Sequence, residues 1–114
     1  MQAALDEARK GLGLASPNPM VGAVLVRDNQ IVGRGYHIYA NRKHAEIVAL
    51  EEAGGLARSA TLYINLEPCC HHGRTPPCTD IIREKRIGRV VVGERDWATE
   101  VMGKSVELLR QSGI

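Results

Sequence analysis

The chain has 114 residues, 44% of them hydrophobic and 25% charged, with a formal net charge of +2. That describes one soluble globular domain over 1–114, with room for a single core and not for a second. The charge is too small for a polybasic field, no apolar run nears the length of a membrane span, and aromatic residues make up only 4%; a membrane partner is excluded and a nucleic-acid partner disfavoured.

In chain order, Ala4, Leu5, Ala8 and Leu12 recur at helical spacing. Gly11, Gly13 and Ser16-Pro17-Asn18-Pro19 predict that this first helix ends by about residue 12. Met1-Gln2-Ala3-Ala4 leads into that pattern and is unlike a signal peptide, which places the chain in the cytoplasm. β-Branched residues over 21–26, Asp28-Asn29 as a turn and a second extended run over 30–36 predict a hairpin. Ala45, Val48, Ala49 and Ala53 predict a helix over 45–53, stopped by Gly54-Gly55. Beyond it the pattern predicts a strand over 61–66, a helix over 79–85, a strand over 89–92 and a helix over 104–111 closed by Gly113. Helices alternating with strands in the later half imply parallel pairing with both faces covered; together with the hairpin, this gives an α/β protein with a mixed central sheet.

One stretch looks built to place ligands: Glu67-Pro68-Cys69-Cys70-His71-His72-Gly73-Arg74-Thr75-Pro76-Pro77-Cys78. It holds all three cysteines and two of the four histidines, and its three prolines rule out an ordinary helix or central strand. Three cysteines, two of them adjacent, make no tidy disulfide framework and fit metal-binding thiols in a reducing compartment. Such a soft, thiolate-rich set suits zinc, which takes four tetrahedral ligands. His44-Ala45-Glu46, at the start of the helix over 45–53, supplies a second half. Cys69, Cys78 and His44 are then three ligands, leaving the fourth position for water. Glu46, two residues on, is better placed to shuttle protons beside that water than to ligate. The competing reading is a closed structural site drawn from Cys69, Cys70 or His71 and Cys78, a non-enzymatic zinc module that needs no Glu46.

Ser16-Pro17-Asn18-Pro19-Met20-Val21-Gly22-Ala23-Val24, His44-Ala45-Glu46 and the segment from Glu67 to Cys78 resemble the deaminase domain of the bifunctional riboflavin-biosynthesis deaminase/reductase, over nearly the whole chain. The eight-residue gap between Cys69 and Cys78, with its Gly73-Arg74-Thr75-Pro76-Pro77 insertion, is similar to that branch and differs from the two-residue gap of cytidine and tRNA adenosine deaminases. The resemblance implies a cytidine deaminase-like three-layer α/β/α fold, a bound zinc and a homo-oligomer; the reductase half of that family is missing from these 114 residues, which are either an excised domain or a stand-alone deaminase. Its implied reaction is hydrolytic deamination of 2,5-diamino-6-(5-phosphoribosylamino)pyrimidin-4-one to 5-amino-6-(5-phosphoribosylamino)uracil.

It also implies that Asn18 holds the ribose, that His71 and Arg74 read ribose or phosphate, and that the loop at Asp96 borders the substrate. His37 and Lys104 are further candidates for substrate binding. The bland readings are an Asn18 that shapes its Pro-Asn-Pro turn, an exposed strand-end His37, a turn-capping His71 and a solvated Arg74. Two positions depart from the family: Cys70 stands where serine is usual, and Asp96-Trp97-Ala98-Thr99 where Asp-Pro-Asn-Pro is usual. The second departure admits a related pyrimidine as substrate. A deaminase acting on a nucleic-acid base is the alternative within the same chemistry, but it calls for a basic groove and stacking aromatics that the composition lacks.

Overall fold

The computed structural model describes residues 1–71, 75–97 and 103–114. Its elements are α1 (Gln2–Arg9), β1 (Gly22–Arg27), β2 (Gln30–Tyr36), α2 (Ala45–Ala53), β3 (Thr61–Leu66), α3 (Cys78–Glu84), β4 (Arg89–Glu94) and α4 (Lys104–Gln111). Short 3-10 turns cover Tyr39–Asn41 and Gly54–Ala57. No helix among the described residues is long and apolar enough to cross a membrane.

The hairpin forms where it is predicted. Asp28 and Asn29 both take positive φ, 53° and 62°, the left-handed pair that a two-residue hairpin turn requires and that Asp and Asn tolerate best. The first helix ends at Arg9, short of residue 12, because the N–H groups of Lys10, Gly11 and Leu12 bond three residues back, to Glu7, Ala8 and Arg9. That tightens the last turn out of α geometry. β4 runs two residues past the expected end, since Leu66 still pairs with Glu94.

The sheet order is β2-β1-β3-β4, with β1 antiparallel to both β2 and β3 and β4 parallel to β3. The mixed sheet is therefore as expected. Alternation along β1 separates the layers. Gly22 faces α1, where a Cβ would fall against the Ala4 carbonyl oxygen and the Ala8 backbone. Ala23 and Leu25 face the other way and pair with Ile64 and Leu62 of β3 and with Gly35 and Gly33 of β2. On that second face they meet Ala45, Ala49, Leu50 and Ala53 of α2, Ile82 of α3 and Leu109 of α4 in one core. The result is three layers: α1, the sheet, and α2 with α3 and α4.

The fully buried Leu25, Leu62, Ile64 and Ile82 each contribute about 1.5–3 kcal/mol by leaving water. Closeness between β2 and α2 depends on glycine. A Cβ at Gly35 would overlap the Ala45 carbonyl oxygen and crowd the Ala49 backbone, atoms that cannot swing aside. Gly35→Ala should therefore cost about 1–3 kcal/mol of stability, the usual penalty for overpacking. Chemical denaturation at constant slope measures it, and an unchanged midpoint would show that α2 can move away freely.

The topology also decides where loops gather. β3 and β4 run parallel, so both end on the same side, while β1 begins there and β2 returns to it. The segments just before β1, after β2, after β3 and after β4 thus meet at one end of the sheet, where open α/β sheets offer a crevice.

Candidate active site

At that end α2 presents its N-terminus. Ala45, Ala49 and Ala53 recur at i, i+4 and i+8 against the sheet, and Glu46 shares the adjoining buried stripe with Leu50. Helical spacing alone thus turns Glu46 inward, where it is only 2% exposed. His44 is the N-cap residue with extended backbone, and its ring faces the loop that follows β3. Cys69 lies in that loop and Cys78 opens α3. The Cys78 N–H donates to Cys69 Sγ at 3.2 Å and the Thr79 N–H to the Cys69 carbonyl at 3.2 Å, so the loop is folded back onto the start of α3.

His44, Cys69 and Cys78 offer ligand atoms that all lie within 4.8 Å of one another. His44 Nδ1 is 3.1 Å from Cys78 Sγ and 3.6 Å from Cys69 Sγ. Ligands set tetrahedrally at about 2.0–2.3 Å from one zinc ion stand about 3.5 Å apart, so two sulfurs and a nitrogen at these distances fit that ion in number, softness and spacing. Neither Cys70 nor Glu46 belongs to the cluster among the described residues.

The electrostatics agree with a cluster that wants a cation. A hydrogen bond from the Cys78 thiol, the His44 ring and the Cys78 N–H lower the Cys69 pKa to about 4, against the opposing effect of burial. Cys78 is pushed up, because its thiol is held in that hydrogen bond to Cys69, because it is buried, and because Glu46 and the Cys69 thiolate repel a second charge. The hydrogen bond to Cys69, helped by the charges of Glu46 and Cys69, raises His44 despite burial. Glu46 is raised by burial, against a hydrogen bond from the Cys78 thiol.

The cluster floors a cavity with two lobes that share Asn18, His37, His44, Cys69 and His71. The inner lobe, about 250 Å³, adds Glu46, Ile64, Leu66, Glu67 and Asp96. The outer, about 410 Å³, adds Tyr39, Ala40, Arg42 and Thr75. Most of the sequence candidates meet here. Asn18 lines both lobes, and further along its segment the Asn65 amide donates to the Met20 carbonyl and accepts the Gly22 N–H. His37 is buried, not exposed: its Nδ1–H donates to the Lys43 carbonyl at 2.7 Å, which leaves Nε2 to accept from the Asn18 amide at 3.0 Å. That pairing orients the Asn18 amide and leaves its carbonyl oxygen for a ligand donor. Lys104 lies on the exposed first turn of α4, outside both lobes. Arg74 lies outside the described residues, as do Ala98 and Thr99 of the departing loop.

Arg42 and Glu67 escaped the sequence reading. Arg42 follows the turn at Tyr39–Asn41 with φ 58°, a left-handed position that no residue preference announces. Glu67 sits in the Cys-rich segment itself, and the available signal was an acidic residue directly after a largely buried strand. It is 3% exposed. Burial alone would raise its pKa, but hydrogen bonds from Ser105, Gly103, Asp96 and Val106 outweigh burial and lower it.

Comparisons agree with this geometry. The family described as the cytidine and deoxycytidylate deaminase zinc-binding region matches residues 1–94. The riboflavin biosynthesis protein RibD of Aquifex aeolicus is 54% identical over all 114 residues, which are 32% of its own length. The RibD structure from Acinetobacter baumannii superposes with a TM-score of 0.93 at 45% identity, over 99% of this chain and 32% of that one. A diaminohydroxyphosphoribosylaminopyrimidine deaminase/5-amino-6-(5-phosphoribosylamino)uracil reductase from Thermotoga maritima gives 0.90 at 50% identity, over 100% and 33%. The chain thus spans about a third of the length of these relatives.

Proposed function

We propose, from the premise that this chain belongs to the cytidine and deoxycytidylate deaminase zinc-binding family, that it deaminates a diaminopyrimidine ribonucleotide by hydrolysis. The substrate is 2,5-diamino-6-(5-phosphoribosylamino)pyrimidin-4-one and the product the corresponding aminouracil. The observation that carries the reading is the convergence of His44, Cys69 and Cys78 on one point beside a buried Glu46, at the floor of an open cavity. A closed structural site has no use for a buried carboxylate there.

His44, Cys69 and Cys78 would hold the zinc. When bound, it supplies a water made acidic enough to attack near neutral pH. The remaining chemistry belongs to the chain. Water oxygen becomes bonded to the ring carbon that carries the amine, the bond from that carbon to nitrogen breaks, and ammonia leaves. Glu46 takes one proton from the attacking water and passes it to a ring nitrogen, then takes the second from the hydroxyl left on the carbon and gives it to the departing amine as the carbonyl forms. Burial raises its proton affinity, which suits a group that must hold a proton between two transfers. Asn18 and Asp96, both on the wall of the inner lobe, take the ring and its substituents.

The wider outer lobe then takes the ribosyl phosphate, with Arg42 and His71 on its wall and Arg74 three positions after His71 in the sequence. A planar guanidinium pairs two phosphate oxygens at once. Arg74→Ala should weaken use of the phosphorylated substrate by about 2–4 kcal/mol, the scale of a lost charge-assisted contact, and leave the nucleoside nearly unaffected. Arg42→Ala should act in the same direction. Equal losses on nucleotide and nucleoside would mean that these residues only shape the wall. The deciding experiment for the function is ammonia release from the diaminopyrimidine ribonucleotide against cytidine, dCMP and guanine. Preference for any of the last three overturns the assignment.

A further inference from the structure

We infer that Glu67 is a positioning residue for the substrate: its buried carboxylate sets the distance between Asp96 and the loop that carries Cys69. This rests on the reading of Asp96 as a substrate contact.

A carboxylate as buried as Glu67 needs compensation, and the ion pairs among the described residues do not include it. Among the described residues, four donors that follow β4 compensate it. Oε1 accepts from Ser105 Oγ at 2.6 Å and from the Val106 N–H at 3.4 Å. Oε2 accepts from the Gly103 N–H at 2.8 Å and the Asp96 N–H at 3.1 Å.

The two oxygens do different work. Oε1 caps α4, whose N-cap residue Gly103 has no side chain to do so, and a negative charge suits that end of a helix. Oε2 contributes something a cap does not need. It holds the Asp96 and Gly103 N–H groups on a single atom, although seven positions separate them in the chain. Asp96 is thereby fixed to a residue two positions before Cys69, on the wall of the inner lobe that also contains His44 and Glu46. A displacement of about 1 Å between a substrate contact and the reacting centre can be felt as a large loss in rate or binding, which gives this brace a functional consequence.

Glu67→Gln keeps the shape but replaces one acceptor oxygen with an NH₂ donor that faces N–H groups. It should retain zinc, raise KM for the diaminopyrimidine ribonucleotide about tenfold, the scale of a lost hydrogen bond, and change kcat little. Asp96→Asn should raise KM as well, and the double variant should be no worse than the poorer single one, because a misplaced Asp96 has little left to lose. Ser105→Ala removes a bond to Oε1 alone and should lower thermal stability without moving KM. Amide hydrogen exchange supplies a readout free of activity. The Asp96 and Gly103 amides should be protected in the unsubstituted protein and in Ser105→Ala, and exposed in Glu67→Gln.

Additive KM losses, or a Glu67→Gln protein that is less stable with unchanged KM, would reduce Glu67 to a helix cap. Unprotected Asp96 and Gly103 amides in the unsubstituted protein would overturn the brace even if every variant misfolds. Failure of the function itself looks different: no ammonia from the ribonucleotide, with the exchange contrast between the two variants still present.

Discussion

Glu46→Gln is expected to bind about one zinc per chain and to release ammonia ~10²–10⁴ times more slowly than the unsubstituted protein, the range that general acid/base catalysis contributes. The loss extends further if attack and amine departure both depend on the same carboxylate. The substitution is close to isosteric at a position 2% exposed, so it opens no cavity and forces no repacking. Glu46 is not in the ligand cluster, so metal content should be unchanged. What disappears is the ability to take up and return a proton. Metal analysis and an ammonia assay on the same preparation separate the two roles. A near-normal rate removes Glu46 from the mechanism, whereas loss of zinc along with activity would make it a ligand.

What could be read from the sequence differs by the kind of physics involved. His44, Cys69 and Cys78 stood out because a metal accepts few residue types, and those types were concentrated on two segments flanking one helix and one strand. The structure does bring their ligand atoms together. Local signals served equally well for the hairpin, where Asp28 and Asn29 take the positive φ that their short polar side chains tolerate. Contacts between distant segments left no such trace. That β3 lies between β1 and β4 follows from tertiary packing and not from any pattern within those strands. The partners of Glu67 are mainly backbone N–H groups, which every residue carries, 29 to 39 positions away. His37 shows the same limit: a lone histidine at a strand end reads as exposed, and only the Lys43 carbonyl and Asn18 amide reveal it as buried and doubly bonded.

Cys78→Ala is expected to reduce zinc from about one per chain to near zero after dialysis, with Cys70→Ala as the variant that retains it. The Cys78 sulfur is nearly buried and stands 3.1 Å from His44 Nδ1, so no water-exposed neighbour can take its place without moving the start of α3. In the metal-free protein its proton is retained because Cys69 is already ionised beside it and Glu46 lies close by. A dication reverses that balance, since it repays the ionisation of a second thiol with a bond to each sulfur. Removing Cys78 leaves one sulfur and one imidazole, half of a tetrahedral set and too few to hold the ion against dialysis. Cys70 sits next to Cys69 in the chain but its sulfur is not in the cluster of ligand atoms. Cobalt substitution offers a second readout, because thiolate-to-metal absorption should keep its full intensity in Cys70→Ala and vanish in Cys78→Ala. Bound zinc stabilises only the folded state, so chelation should lower Tm in the unsubstituted protein and in Cys70→Ala but not in Cys78→Ala. Full metal content in Cys78→Ala, or its loss in Cys70→Ala, would move the ligand set to the adjacent pair and return the site to a closed, structural one.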